Sequence, residues 1–181
     1  DKIGHMSVSY YSGVAGIKAY QWAGFNRKNA IWYGGFTGSF FLSMIEYLDG
    51  KSAQWGASSG DLIANTSGSL LAIFQELKWK EQRALLKFSY YPTKWAYKNP
   101  EQLGENSIQR ILKDYNGQTY WISLNLKSIF NIDIANFPTF LNLAVGYSGD
   151  GMITPYPQEE MIRKRQYLLS LDIDLTRIKT N

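Results

Sequence analysis

Asp1, His5, Glu46, Asp49, Asp61 and Asn65 are residue types that bind cations, move protons or lock loops, and their placement is uneven. The first 75 residues contain four acids only, Asp1, Glu46, Asp49 and Asp61, and His5 is the single histidine of the chain. Three apolar segments separate these groups. If the segments are helices joined by short turns, the start of the first, the end of the second and the start of the third share one end of an up-down-up bundle. Asp1 and His5, Glu46 and Asp49, and Asp61 and Asn65 fall at those three places, with Arg27 and Lys28 at the opposite pole. Asp61 and Asn65 are one helical turn apart and so share a face.

Three chemistries suit such a cluster. Buried polar groups normally satisfy one another, so a hydrogen-bonded network that locks the loop to the helices is one. A divalent cation held by His5, Glu46 and Asp61 is the second, since imidazole and carboxylate donors fit a hard or borderline ion. General acid-base chemistry by Glu46 or Asp61 with His5 is the third, and it needs matched proton affinities. Glu46 lies near a helix C-terminus, where the macrodipole disfavours an anion by roughly 0.3–1 kcal/mol. A compensating partner is therefore expected among Lys2, Lys51, a protonated His5 or a bound cation. No catalytic residue is assigned.

The elements that must position these groups follow from periodicity. Residues 3–24 read as a first helix, with Tyr10, Val14, Ile17 and Tyr20 at 3–4 residue spacing and Ser9, Gly13 and Gly16 on a small-residue face. Asn26 to Asn29 is a basic turn. The second helix spans about 30–48, and Gly34 and Gly38 would let a neighbour approach closely. Its uncharged run from Asn29 to Ile45 is at the lower edge, about 17 residues, of what can span a bilayer. A buried helix is the favoured reading and a membrane span the other. Asp49 to Gly60 is a Gly/Ser loop around Trp55. The third helix starts near Ser59 or Asp61, with a capping side chain, and ends near Leu77. Along it Asp61, Asn65, Gly68, Ala72 and Gln75 form a polar and small stripe.

From Lys78 the period changes to two. Leu86, Phe88 and Tyr90 oppose Lys87 and Ser89 in 84–92, and Tyr120, Ile122, Leu124 and Leu126 oppose Thr119, Ser123, Asn125 and Lys127 in 118–128. Leu141, Leu143, Val145 and Tyr147 mark a third strand. Residues 165–178 are a fourth, with Tyr167, Leu169, Leu171, Ile173 and Leu175 against Ser170, Asp172, Asp174 and Thr176. A short helix is expected at 107–115, a turn at Gly146–Gly151, and solvated side chains at Asp172 and Asp174. Trp79, Trp95, Tyr91, Tyr97, Tyr115, Tyr120 and Trp121 read as an interfacial belt, a sugar-stacking surface or ordinary packing around a twisted sheet. Strand lengths with aromatic ends match membrane-barrel dimensions, but four strands close no barrel, the smallest having about eight. The apolar sheet face then packs on the helices as a soluble α+β domain, or sits against lipid or a partner. The expected fold is α+β: an N-terminal bundle of about three helices, 1–77, followed by a C-terminal antiparallel sheet of about four strands, 78–181.

Bulk composition narrows the function. With no cysteine, disulfides, thiolate metal sites and thiol catalysis are excluded. The formal charge of +4 comes from scattered Lys and Arg, so nucleic acid is not an expected partner. The aromatic load, 13 Tyr and 6 Trp, suits β-structure or a membrane-water interface. The chain opens on Asp1 without Met or a signal-peptide pattern, so a processed product or a piece of a longer protein is expected.

Asp1-Lys-Ile-Gly-His5, Ile45-Glu-Tyr-Leu-Asp-Gly50, Trp55-Gly56, Gly60-Asp-Leu-Ile-Ala-Asn65 and Gly68 resemble the YfiM-like family of predicted periplasmic lipoproteins. The blocks Leu112 to Trp121 and Arg165 to Ile178 are similar to longer members, so that the resemblance covers nearly the whole chain. The opening and the Asp-x-x-x-Asn-x-x-Gly helix also look like VanZ-type membrane proteins, over a shorter stretch. The resemblance implies a periplasmic or outer-membrane location and contact with membrane or outer-membrane proteins, and with lipid. It carries over no catalytic residues, and this chain lacks an N-terminal lipidation cysteine. The expected function is a non-enzymatic, membrane-associated component of an outer-membrane assembly. The alternatives are a hydrolase or transferase on lipid or cell-wall intermediates at the polar pole, and a small barrel-like protein whose polar strand faces enclose the helices.

Overall fold

Two long rods, α1 (Lys2–Trp22) and α4 (Ser59–Trp79), frame the first half of the chain. The computed structural model describes residues 2–51, 56–154 and 162–178 and divides into two units, Asp1–Arg83 and Ala84–Asn181. Trp55 lies outside the described residues. The class is α+β, with helices in the first unit and an antiparallel sheet in the second.

The segment between the rods is less regular than its apolar pattern suggests. A short α2 (Arg27–Asn29) runs into a π-turn at Ala30–Gly34, and α3 (Thr37–Asp49) follows. The expected helix over 30–48 is thus present in pieces, its turn widened where Gly34 meets α1. A side chain on Gly34 would strike the backbone of Gly16 and Ile17, so the two chains touch main chain to main chain. Among the described residues no helix is long and apolar enough to cross a membrane, and the run from Asn29 to Ile45 is not one continuous span.

The stripe along α4 faces inward: Asp61, Asn65, Gly68, Ala72 and Gln75 are all buried. Gly68 lets α1 approach until a Cβ there would collide with the Met6 carbonyl oxygen. Near the middle of the unit the core is made of serines. Ser9 Oγ lies 3.0 Å from Ser69 Oγ and donates to the Asn65 carbonyl, and the Ser39 N–H donates to Ser69 at 3.2 Å. Ile17, Ile31 and Ile73 form an aliphatic cluster, with Phe36 against it. At the pole away from His5, Arg27 lies 4.0 Å from the Glu76 carboxylate and donates to the Glu76 carbonyl.

In the second unit, among the described residues, β1 (Ala84–Tyr90), β2 (Gln118–Asn125), β3 (Leu141–Asp150) and β4 (Lys164–Ile173) form an antiparallel sheet in sequence order. The register aligns three apolar rows on one face: Phe88, Tyr120, Tyr147 and Tyr167; Leu86, Ile122, Val145 and Leu169; Ala84, Leu124, Leu143 and Leu171. Leu86 is buried, but much of this face is open, with Leu169 and Leu171 71% and 70% exposed. The opposite face is polar and more covered, with Ser123, Asn125, Asn142 and Ser148 buried.

Several expectations change here. The short helix is present at α7 (Ser107–Lys113), preceded by α5 (Lys94–Lys98) and α6 (Pro100–Leu103) within the polar segment. β2 stops at Asn125, whose side chain accepts from the Ser128 N–H and caps α8 (Leu126–Phe130). β4 stops at Ile173, and a 3₁₀ turn follows at Leu175–Arg177. The turn expected at Gly146–Gly151 is strand as far as Asp150, and only Gly151, at φ 78°, has the left-handed conformation. A Cβ on Gly146 would meet the Trp121 ring, so the glycine makes room for the indole inside the sheet. Asp174 is not solvated, and Asp172 is only partly so. Asp174 is buried and accepts from the Thr176 and Arg177 side chains, and Asp172 pairs with Lys87 at 2.7 Å.

Candidate functional site

The helix ends of the first unit bring three of the candidate groups together. His5 projects from the first turns of α1, Glu46 from the end of α3 and Asp61 from the first turn of α4, and one donor atom of each lies within 4.8 Å of the others. Glu46 and Asp61 are buried, at 5% and 7% exposure. Asn65, one turn after Asp61, joins them: its Oδ1 lies 3.2 Å from His5 Nδ1. Asp49 is on the last turn of α3, half-buried and outside the three-way group. Asp1 lies outside the described residues.

Local sequence explains the arrangement. Ser58 caps α4 by accepting from the Asp61 N–H at 3.3 Å, which fixes the helix start and places Asp61 where the dipole favours an anion. The same residue turns its own N–H to Glu46 Oε2 at 3.1 Å. The compensation expected for Glu46 therefore comes first from a loop amide, with Glu46 Oε1 4.0 Å from His5 Nδ1. Lys2 bonds Asp61 instead, at 2.9 Å, and Lys51 sits over the Tyr47 ring. Ser58 as a ligand of Glu46 was not legible beforehand, because a backbone donor leaves no mark in residue type.

Electrostatics separate the roles. Burial pushes the Asp61 carboxyl up, but hydrogen bonds from Lys2 and Ser58 and the nearness of His5 outweigh it, so it titrates below its usual 3.8. A carboxylate held so firmly ionised is a poor proton carrier near neutral pH and a good cation ligand. Asn65 is fully buried and its Nδ2 has no partner. With Oδ1 against the imidazole, Nδ2 is orphaned.

Against known families, residues 1–77 match the model described as Predicted periplasmic lipoprotein (DUF2279). The matched stretch holds every member of the polar cluster, while the blocks at 112–121 and 165–178 lie beyond it. Comparison with curated proteins and with solved structures found no match. The match supports the family-level resemblance and says nothing of the finer likeness to YfiM or to VanZ-type proteins. The helical half of this chain is thus similar to a family of predicted periplasmic lipoproteins, which fits a protein of the cell envelope.

Proposed function

We propose that the protein is a non-enzymatic component of an outer-membrane assembly, seated with the apolar face of its sheet against lipid. The observation that carries this reading is the apolar face, charged only at Arg165 near one end, on which much of three aligned rows stays open while the opposite face is polar and hydrogen-bonded. Water would favour the reverse. Each exposed aliphatic side chain forgoes roughly 1.5–3 kcal/mol of burial, and a lipid contact recovers it. A row of four aromatics, Phe88, Tyr120, Tyr147 and Tyr167, crosses this face toward one end, where membrane strands carry their interfacial girdle. β3 and β4 have the length that a tilted membrane strand needs, about 9–11 residues.

The polar face is concave. Lys87, Trp121, Ser170 and Asp172 line a groove of about 290 Å³ on it. Lumen-facing polar and lipid-facing apolar positions alternate in this way along a barrel wall. Open strand edges are not tolerated in hydrocarbon, so β1 and β4 must be continued by further strands. Such strands define the partner as a membrane β-protein or further sequence of the same protein.

Alkaline extraction of native membranes tests the reading. The unchanged protein stays in the membrane pellet, and Val145→Arg with Leu169→Arg shifts it to the supernatant or abolishes assembly, each charge costing about 2–4 kcal/mol at mid-depth. Release of the unchanged protein by alkali, or retention of the double variant in its usual amount, contradicts it.

A further inference from the structure

We propose that His5, Glu46 and Asp61 bind a divalent transition ion of borderline softness, with Zn²⁺ as the type, and that Lys2 is the cation that holds its place. This goes beyond the membrane reading and does not depend on it. One imidazole nitrogen and two carboxylate oxygens are a zinc donor set, whereas Ca²⁺ and Mg²⁺ prefer oxygen throughout. The three donors come from three different helix ends, so the fold fixes their spacing.

The distances fit an ion after a small adjustment. Ligands at about 2.0–2.2 Å from a tetrahedral ion stand about 3.3 Å from one another. The three donor atoms lie within 4.8 Å of each other, with His5 Nδ1 and Glu46 Oε1 at 4.0 Å. Closing by up to about 1.5 Å lies within side-chain rotation. Glu46 keeps Oε2 on the Ser58 N–H, which leaves Oε1 to turn toward the ion.

Asn65 is the independent sign of a missing occupant. Its amide abuts the imidazole and is fully buried, and its Nδ2 has no hydrogen-bond partner. A bound ion relieves that: the imidazole ligates, and a water or hydroxide in the fourth position accepts from Asn65 Nδ2. Charge agrees. Lys2 pairs with Asp61 alone and leaves Glu46 on the Ser58 N–H, and the Lys2 side chain is 57% exposed, so it can swing into solvent when an ion arrives.

The test is equilibrium dialysis of chelator-stripped whole protein with Zn²⁺, with Mg²⁺ as control. One tightly held Zn²⁺ per chain is expected, weakened at least about tenfold by His5→Ala and by Glu46→Gln. Lys2→Met removes the competing cation and is expected to tighten binding several-fold, which a merely structural Lys2 would not do. Co²⁺ added in place of Zn²⁺ should give visible absorption bands of a tetrahedral N/O site, and these disappear in His5→Ala. If Glu46→Gln fails to fold, His5→Ala decides, because its ring is partly exposed and circular dichroism reports whether the helices remain. Absence of Zn²⁺ binding, or binding that His5→Ala leaves unchanged, overturns the proposal.

Discussion

Lys87 of β1 and Asp172 of β4 form an ion pair at 2.7 Å although two strands lie between them. In a flat sheet β1 and β4 would stand about 14 Å apart, at about 4.8 Å per strand. The offset along the strands adds to that separation, since Lys87 aligns with Leu168 rather than with Asp172. The two side chains together do not reach so far. The sheet must therefore twist and curl toward its polar face, and Lys87 also donates to the Ile173 carbonyl at 2.9 Å. Curvature with the polar side inward is what turns an amphipathic sheet into a piece of wall.

The same pair makes the sheet acid-sensitive. Burial raises the Asp172 carboxyl, but hydrogen bonds from Lys87, Ser123 and the Ile173 backbone outweigh it, so it titrates below its usual 3.8. A group with a lowered folded pKa stabilises fully above its unfolded pKa and loses that contribution as pH falls through the folded one. The melting temperature of the sheet in detergent, followed by circular dichroism, should therefore drop below about pH 4. In Asp172→Asn that increment of the acid drop should vanish, leaving a lower but flatter curve. Identical acid profiles for the two proteins would show that the pair does not couple to folding.

Helix approach in the first unit sets a second expectation. Gly68→Ala places a methyl group against the Met6 carbonyl and should cost about 1–3 kcal/mol, by analogy with overpacked cores. Gly56 has no atom within 4 Å of where a Cβ would stand, so Gly56→Ala should leave stability unchanged. Urea unfolding of both variants makes the comparison.

Glu46 gives a third. It is the acceptor for the Ser58 N–H, so Glu46→Ala strands a donor at the polar pole and should cost roughly 1–3 kcal/mol. Glu46→Gln keeps an acceptor oxygen and should cost clearly less. Equal losses in the two variants would mean that charge, not the hydrogen bond, is what Glu46 contributes.

Much of this arrangement was legible in residue order. The period of two in 118–125 and 141–147 gave both faces of the sheet, and the alternation of three apolar rods put His5, Glu46 and Asp61 at one pole. The stripe Asp61, Asn65, Gly68, Ala72 and Gln75 was readable because helical spacing is fixed. What stayed hidden depends on distant partners. Asp174 reads as a solvated strand residue until Arg177 and Thr176 fold back on it. The run after Asn125 continues the alternation through Leu126, yet the Asn125 cap turns it into α8. Gln82 carries no pattern, and it accepts from both Tyr10 Oη at 3.2 Å and Gln75 Nε2 at 2.8 Å, closing the end of the helical unit. Which side of the sheet would be covered depended on curvature, and the Lys87–Asp172 pair that reveals the curl joins residues far apart in sequence.

Because the chain has no cysteine, single labels can map the membrane contact directly. Cysteines at Val145 and Leu169 on the apolar face, and at Ala144 and Ser170 on the polar face, would each carry an environment-sensitive fluorophore in native or reconstituted membranes. A quencher attached to lipid chains should dim the labels at 145 and 169 and spare those at 144 and 170. Equal quenching at all four positions, or quenching at none, would contradict a sheet seated with its apolar face against lipid.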